Sequence, residues 1–382
     1  MRCFIHSSYE RQQLKNVIMK YLFALTLLLA ACSGKNTIAD SDGERTQATV
    51  NLLENLVRLT DSTVCLVGHQ DDTCFGVGWR GDSARSDVKS VCGDLPAVVG
   101  FELGGVERGS AENIDGVAFH RIRQQAIAHF DRGGMVIMAW HPNSPLSGAP
   151  ALVPDSLLAG EKNTVAACLD GGKCHQQFVD AVDSVASFLN TLVTPYGVKV
   201  PVLLTLWPLP HAANHWWSQP CCAPSDYQAL WRLTADRLRQ QGANNVLLVY
   251  AHGMADNTFQ PYYPGNDVAD VLALDATGTD VDQRLSRLCA LAHEQGKPAA
   301  VVGAGQPGIP DAHYWTTVLA PLVQQHPVAF VLIGSNAYAQ PGRFCAPFPG
   351  HPSASDFVAF YNLPHTVFLS DLNALYLSPE QP

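Results

Sequence analysis

A single α/β domain built as a closed (β/α)8 (TIM) barrel is what this sequence predicts, and three observations carry that expectation. Eight short apolar runs recur at 64–68, 97–103, 135–140, 200–206, 246–251, 268–274, 299–303 and 328–333. Segments of helical period lie between them, and this alternation argues for βα units on a parallel sheet. No glycine-rich phosphate turn follows the first run, which favours a closed barrel over an open doubly wound sheet. The chain of 382 residues, 47% hydrophobic and only 15% charged, is long and apolar enough to bury one large core.

The helical segments read as 46–59, 116–131, 175–192, 225–241, 280–295 and 314–325. Pro224-Ser225-Asp226 marks the start of one of them, and Gly242 and Gly296 mark two ends, the usual asymmetry of polar starts and glycine stops. The sequence carries no internal repeat, no low-complexity block and no sign of a second domain.

The amino-terminal region reads as a leader. Met19-Lys20 precedes the apolar stretch 21–29, and Leu29-Ala30-Ala31 then leads to Cys32, the order of a bacterial lipoprotein signal. The apolar run is too short to span a bilayer, which takes about 20 such residues. Residues 1–31 are therefore expected to be a signal peptide with its true start at Met19, Cys32 the lipidated residue, 32–45 a polar tether, and 46–382 the barrel. An exported lipoprotein of the bacterial cell envelope is the expected product, touching membrane only through its lipid.

The net charge of −10 comes without any Lys/Arg run, which argues against nucleic acid and anionic membrane surfaces as partners. A neutral ligand suits it better. Of eleven cysteines, nine remain once Cys3 and Cys32 are set aside. Cys168 and Cys174 flank the turn-prone Asp170-Gly171-Gly172 and could close a small loop, whereas the adjacent Cys221 and Cys222 are badly placed to pair with each other. No Cys-x-x-Cys occurs, so neither a zinc site nor any other cofactor is expected.

Chemistry in such barrels sits at the carboxyl ends of the strands. The residues standing there are His69-Gln70-Asp71-Asp72, Glu102, His141, His211-Ala212, His252, Asp275, Gly303 and Gly334-Ser335. Trp79, Trp140, Trp207, Trp216 and Trp217 fall in or beside the same loops, as flat surfaces for pyranose rings or as packing. Lone histidines such as His69 and His252 read more readily as hydrogen-bonding residues than as metal ligands.

Several ordered blocks resemble glycoside hydrolase family 26, whose typical members are endo-β-1,4-mannanases. They are Gly68-His69-Gln70-Asp71-Asp72, the run from Ser86 to Val98, Asn113-Ile114-Asp115-Gly116-Val117, Tyr263-Pro264-Gly265-Asn266-Asp267, Gly308-Ile309-Pro310-Asp311, Asn336-Ala337-Tyr338 and Ala346-Pro347-Phe348-Pro349-Gly350-His351-Pro352. The resemblance extends from about 51 to 373. It implies a barrel, a β-mannan-type substrate, and retaining hydrolysis by one glutamate at the end of strand four and another at the end of strand seven.

The carry-over fails at both glutamates. Where the family has His-Glu after strand four this chain has His211-Ala212, and the nucleophile position, five residues before Gly308, is Gly303. Gly334-Ser335 replaces the family's Trp-Arg before Asn336-Ala337, Ala276 or Thr277 stands at a tyrosine position, and Trp207 or Pro208 at an arginine position. His141, His211, Trp216 and Trp217 match positions that line the sugar cleft. Retaining hydrolysis needs two carboxyl groups about 5 Å apart, and general acid–base help alone is worth about 10²–10⁴-fold. The expectation is a hydrolytically inactive protein that recognises β-mannan or a related neutral polysaccharide. Two alternatives stay open: an active glycosidase using displaced carboxylates, with Glu102 and Asp275 as nominees, and a remnant that binds nothing.

Overall fold

The computed structural model describes residues 44–379 apart from 83, 212, 213, 220, 255–258, 277 and 338–341. The expected signal peptide, the expected lipidation residue Cys32 and most of the expected tether lie outside the described residues, as does Ala212. Among the described residues no helix is long and apolar enough to cross a membrane.

Eight parallel strands close into a barrel: β1 Cys65–Gln70, β2 Val98–Glu102, β3 Met135–Trp140, β4 Val202–Leu206, β5 Val246–His252, β6 Val271–Asp275, β7 Ala299–Ala304 and β8 Phe330–Ile333. Each pairs with the next in sequence. The ring shuts where β1 meets β8, with Leu66 opposite Phe330 and His69 opposite Ile333. All eight runs read from the sequence are strands of this ring, each within a few residues of its expected bounds.

Alternation along the strands separates two apolar layers. Leu66, Val98, Ile137, Leu203, Val249, Val271, Ala300 and Phe330 fill the inside of the ring, and the same cluster takes in Leu52 and Leu56 of helix α1, Gln47–Thr60. Those two leucines are fully buried, so α1 plugs the barrel end opposite the strand carboxyl termini. Thr46 caps α1 by accepting from the Thr49 amide. The intervening residues, such as Val67, Val99, Val136 and Leu204, face outward into the larger cluster beneath the helices.

That outer layer comprises α2 Asp87–Cys92, α3 Phe119–Asp131, α4 His175–Asn190, α5 Pro224–Gln240, α6 Val281–Glu294, α7 Ala320–Gln325 and α8 Ala354–Tyr361. Pro224 begins α5, and Gly242 and Gly296 follow α5 and α6, as their sequences suggest. The expected helix at 314–325 is instead a wide π turn, Trp315–Leu319, running into α7. The Asp356 carboxylate accepts the Trp315 and Thr316 amides there, and Pro321 near the start of α7 brings no amide to an α-type ladder.

Elements too short for periodicity to reveal complete the fold. A hairpin of Phe75–Gly76 and Trp79–Arg80 follows β1, and Thr366–Val367 adds a strand beside Cys65 and Leu66. The buried Asp87 carboxylate ties the hairpin to the carboxyl-terminal loops, accepting from the Val77 amide, Trp79 Nε1 and Asn336 Nδ2. Asn336 is itself fully buried; its Nδ2 also donates to Ala346 O, and its Oδ1 accepts the Cys345 and Ala346 amides. Asn336→Ala removes all four bonds and strands buried donors and acceptors, so it should cost about 3 kcal/mol. Urea unfolding with an unchanged slope checks this, and a loss below 1 kcal/mol would show that the network carries little.

Candidate functional site at the barrel mouth

The strand carboxyl ends converge on one rim, and inward alternation aims the last residues of β2 and β6 at its centre. Glu102, the last residue of β2, is 5% exposed, and three N–H groups occupy its two oxygens. Oε1 accepts the Gly104 amide at 2.6 Å and the His141 amide at 3.1 Å, while Oε2 accepts His141 Nδ1 at 2.7 Å. The ring of His141, one residue beyond β3, is thereby fixed in place. Asn113 holds the turn above by donating to the Glu102 carbonyl, and it brings Asp115 to the rim.

Three carboxylates therefore act on His141. Burial works against its charged form, but contact with Glu102, with Asp115 and Asp275 beyond, outweighs it and holds the imidazole above its usual range. Asp115 is pushed up to about 6, first by the protein packed round its carboxyl and then by Glu102. Asp71, at the end of β1, is 1% exposed and is raised well above the carboxylate range, mainly by burial and then by Asp115; Gln70 donates to one of its oxygens. The result is an acidic mouth that favours the charged form of one imidazole.

Asp115 and Asp71 belong to blocks that the sequence singles out without a role. What unites them is a turn that folds back over β2, which spacing along the chain does not reveal.

Across the mouth His211 stacks on His252, ring centres 4.1 Å apart. Burial and then Arg284 lower His211 to about 4, so it is neutral at physiological pH. Gly303, near the end of β7, is exposed and left-handed at φ 65°, and a Cβ there would stand 3.5 Å from the Asp275 carboxylate. A cavity of about 610 Å³ opens beside it, lined among others by Ala276, Gly305, Gln306 and Tyr314.

Of the two roles the sequence leaves open for the tryptophans, the structure shows packing. Trp140, Trp207, Trp216 and Trp217 have no exposed surface and form one packed block, Trp207 lying 5.1–5.4 Å from each of the other three by ring centres. Trp216 Nε1 donates to Pro142 O and Trp217 Nε1 to Pro208 O, which draws both indoles inward beneath the loops after β3 and β4. His215 lies parallel to Trp217 at 4.4 Å and covers it. Trp216 and Trp217 thus underlie the mouth rather than face it, and of the four expected cleft residues only His141 and His211 are partly open.

The His141–Glu102 pair predicts a definite pH response. A raised imidazole contributes stability in full below about 6.5, the ordinary value, and loses it as pH climbs through the higher folded value. Glu102→Gln keeps an acceptor but removes the charge, so the NMR titration midpoint of His141 should fall. An unmoved midpoint would remove Glu102 as the controlling charge.

With the geometry in place, the likeness to known proteins is specific. The model of Glycosyl hydrolase family 26 matches residues 41–315. A family 26 β-mannanase from Bacteroides ovatus superposes with a TM-score of 0.82 at 38% identity, over 87% of this chain and 98% of that one. A modular endo-β-1,4-mannanase from Cellulomonas fimi gives 0.76 at 27% identity, over 89% of this chain and 80% of the other. A mannan endo-1,4-beta-mannosidase of Bifidobacterium adolescentis is 26% identical over 207 residues, 52% of this chain but 20% of its own length. Its counterpart in Thermothelomyces thermophilus is 29% identical over 207 residues, 49% of this chain and 38% of its own length. The matched stretch is therefore well under half of either curated relative. Most of the barrel falls inside the matched residues, and the chain belongs to glycosyl hydrolase family 26.

Proposed function

We propose that this chain is a hydrolytically inert member of the family that holds β-mannan or another neutral β-linked glycan in the barrel mouth. One observation carries the reading: the end of β7 presents Gly303, a hydrogen in place of a side chain, where the family resemblance asks for the nucleophilic carboxylate. The same resemblance puts the acid/base at Ala212. Without both groups an acetal has neither a proton donor for the leaving oxygen nor an anion at the anomeric carbon. The names of the relatives support β-mannan as the ligand class. His141, His211 and the rim carboxylates supply polar groups for sugar hydroxyls, and Trp216 and Trp217 support the wall from behind.

The second reading is a working glycosidase with displaced carboxylates. It is favoured by Asp275 beside Gly303 and by a rim acid, Asp115, held at about 6, within the range that suits a general acid near neutrality. Glu102 fits it poorly, because N–H groups already engage both its oxygens and it acts through His141 as a positioning residue. In either reading the leader pattern supports export to the bacterial envelope with lipid on Cys32.

Incubation with linear β-mannan and with galactomannan separates the two. The expected result is reducing sugar no higher than in buffer, together with calorimetric binding of mannooligosaccharides. Steady depolymerisation overturns the inert reading, and activity lost in Asp275→Asn would then identify the substitute. Absence of both hydrolysis and binding across β-linked hexose oligomers would remove the glycan altogether.

A further inference from the structure

Behind the His141 wall lies a loop whose chemistry the mouth does not use. Its two cysteines, Cys168 and Cys174, are both free thiols that the fold brings close together. Cys168 ends the short helix Thr164–Cys168, and Cys174 caps the start of α4. The Cys174 amide donates to Ala167 O at 2.8 Å, and His175 Nδ1 lies 3.0 Å from Cys168 O. With ordinary bond lengths the first of these bonds keeps the Cα atoms of Cys168 and Cys174 within about 7 Å. A disulfide spans about 4.4–6.8 Å between Cα atoms.

The intervening turn is built for that approach. A Cβ at Gly172 would lie 2.3 Å from Ala167 O, so only glycine lets the chain fold back so closely. Both thiols are buried, at 0% and 8% exposure, and burial, followed by a charge on Cys174, pushes Cys168 up to about 12. The tip between them is open to solvent, with the Asp170 side chain 93% exposed.

We propose that Cys168 and Cys174 form a disulfide that closes the 169–173 loop when the chain meets an oxidising medium. The oxidant is a small-molecule disulfide. The thiolate of one cysteine attacks it, forming a mixed disulfide and releasing one small thiolate. The second cysteine, deprotonated, then attacks the protein sulfur of that mixed disulfide and releases the other. The balance is two protein thiols oxidised to one cystine and one small disulfide reduced to two thiols. Burial makes both thiols slow as folded, so the reaction runs during folding or through local opening of the exposed tip.

The staple also bears on the mouth. Thr164, on the same short helix as Cys168, donates to Glu161, which also accepts from Ser144 and Ser147. Those serines lie on the loop that begins at His141, so the staple anchors the base of that wall.

Trypsin provides the test, because it cuts after Lys162 and Lys173 and so puts the two cysteines on separate peptides, 163–173 and 174–199. The full chain is equilibrated with oxidised glutathione, alkylated and mapped by mass spectrometry without reduction. The expected result is one species joining the two peptides, which separates on reduction, with a melting midpoint raised by a few degrees. Cys168→Ser and Cys174→Ser should each abolish the joined species. Peptides that stay separate with both thiols alkylated overturn the proposal, as does either cysteine linked elsewhere. Because the unmutated chain gives the decisive map, poor folding of a variant leaves the answer intact.

Discussion

Closure of β1 on β8 is the constraint from which everything else follows. Once the eighth strand returns to the first, no strand edge is left unpaired in the ring, and the period of two along each strand sorts side chains into an inner and an outer set. The inner set is closed from one side by Leu52 and Leu56 of α1. At the other side the chain can only leave the ring through loops, so Glu102, His141, Asp275 and Gly303 are brought to one rim from strands far apart in sequence.

The acidity of that rim is a packing result as much as a compositional one. A single Glu102 side chain orders the His141 ring, accepts two backbone amides, and raises Asp115. Charge at the mouth is therefore cooperative, since altering one group alters the proton affinity of its neighbours. The tryptophan block beneath gives this arrangement a stiff floor, because four fully buried indoles leave little room for the loops after β3 and β4 to shift.

The barrel was legible in the sequence because its strands are repetitive and apolar, and repetition survives small errors in bounds. The runs at 64–68 and 328–333 predict β1 and β8, though nothing in either announces that they pair. The mouth was legible as a set of strand-end residues, and less so as contacts. His141 and Glu102 both stand out by position, but their 2.7 Å bond depends on the register of β2 against β3, with Glu102 opposite Ala139. The sequence leaves the tryptophans open between stacking surface and packing for a physical reason: one carbonyl is enough to draw an indole beside a loop inward, and Pro142 and Pro208 supply such carbonyls to Trp216 and Trp217. The short hairpin after β1 and the π turn before α7 hold too few residues for periodicity and depend on Asp87 and Asp356, whose partners are distant in sequence.

The imidazole lying flat on Trp217 sets the terms on which that indole can be used. His215 is parallel to it within 4° and is lowered to about 3, by burial and then by His141, so the covering is a neutral ring at every physiological pH. A flat guest of any kind reaches this aromatic surface only by trading places with the histidine. What it gains there is the difference between two stackings, so selectivity at this point is a competition between a guest and a resident side chain.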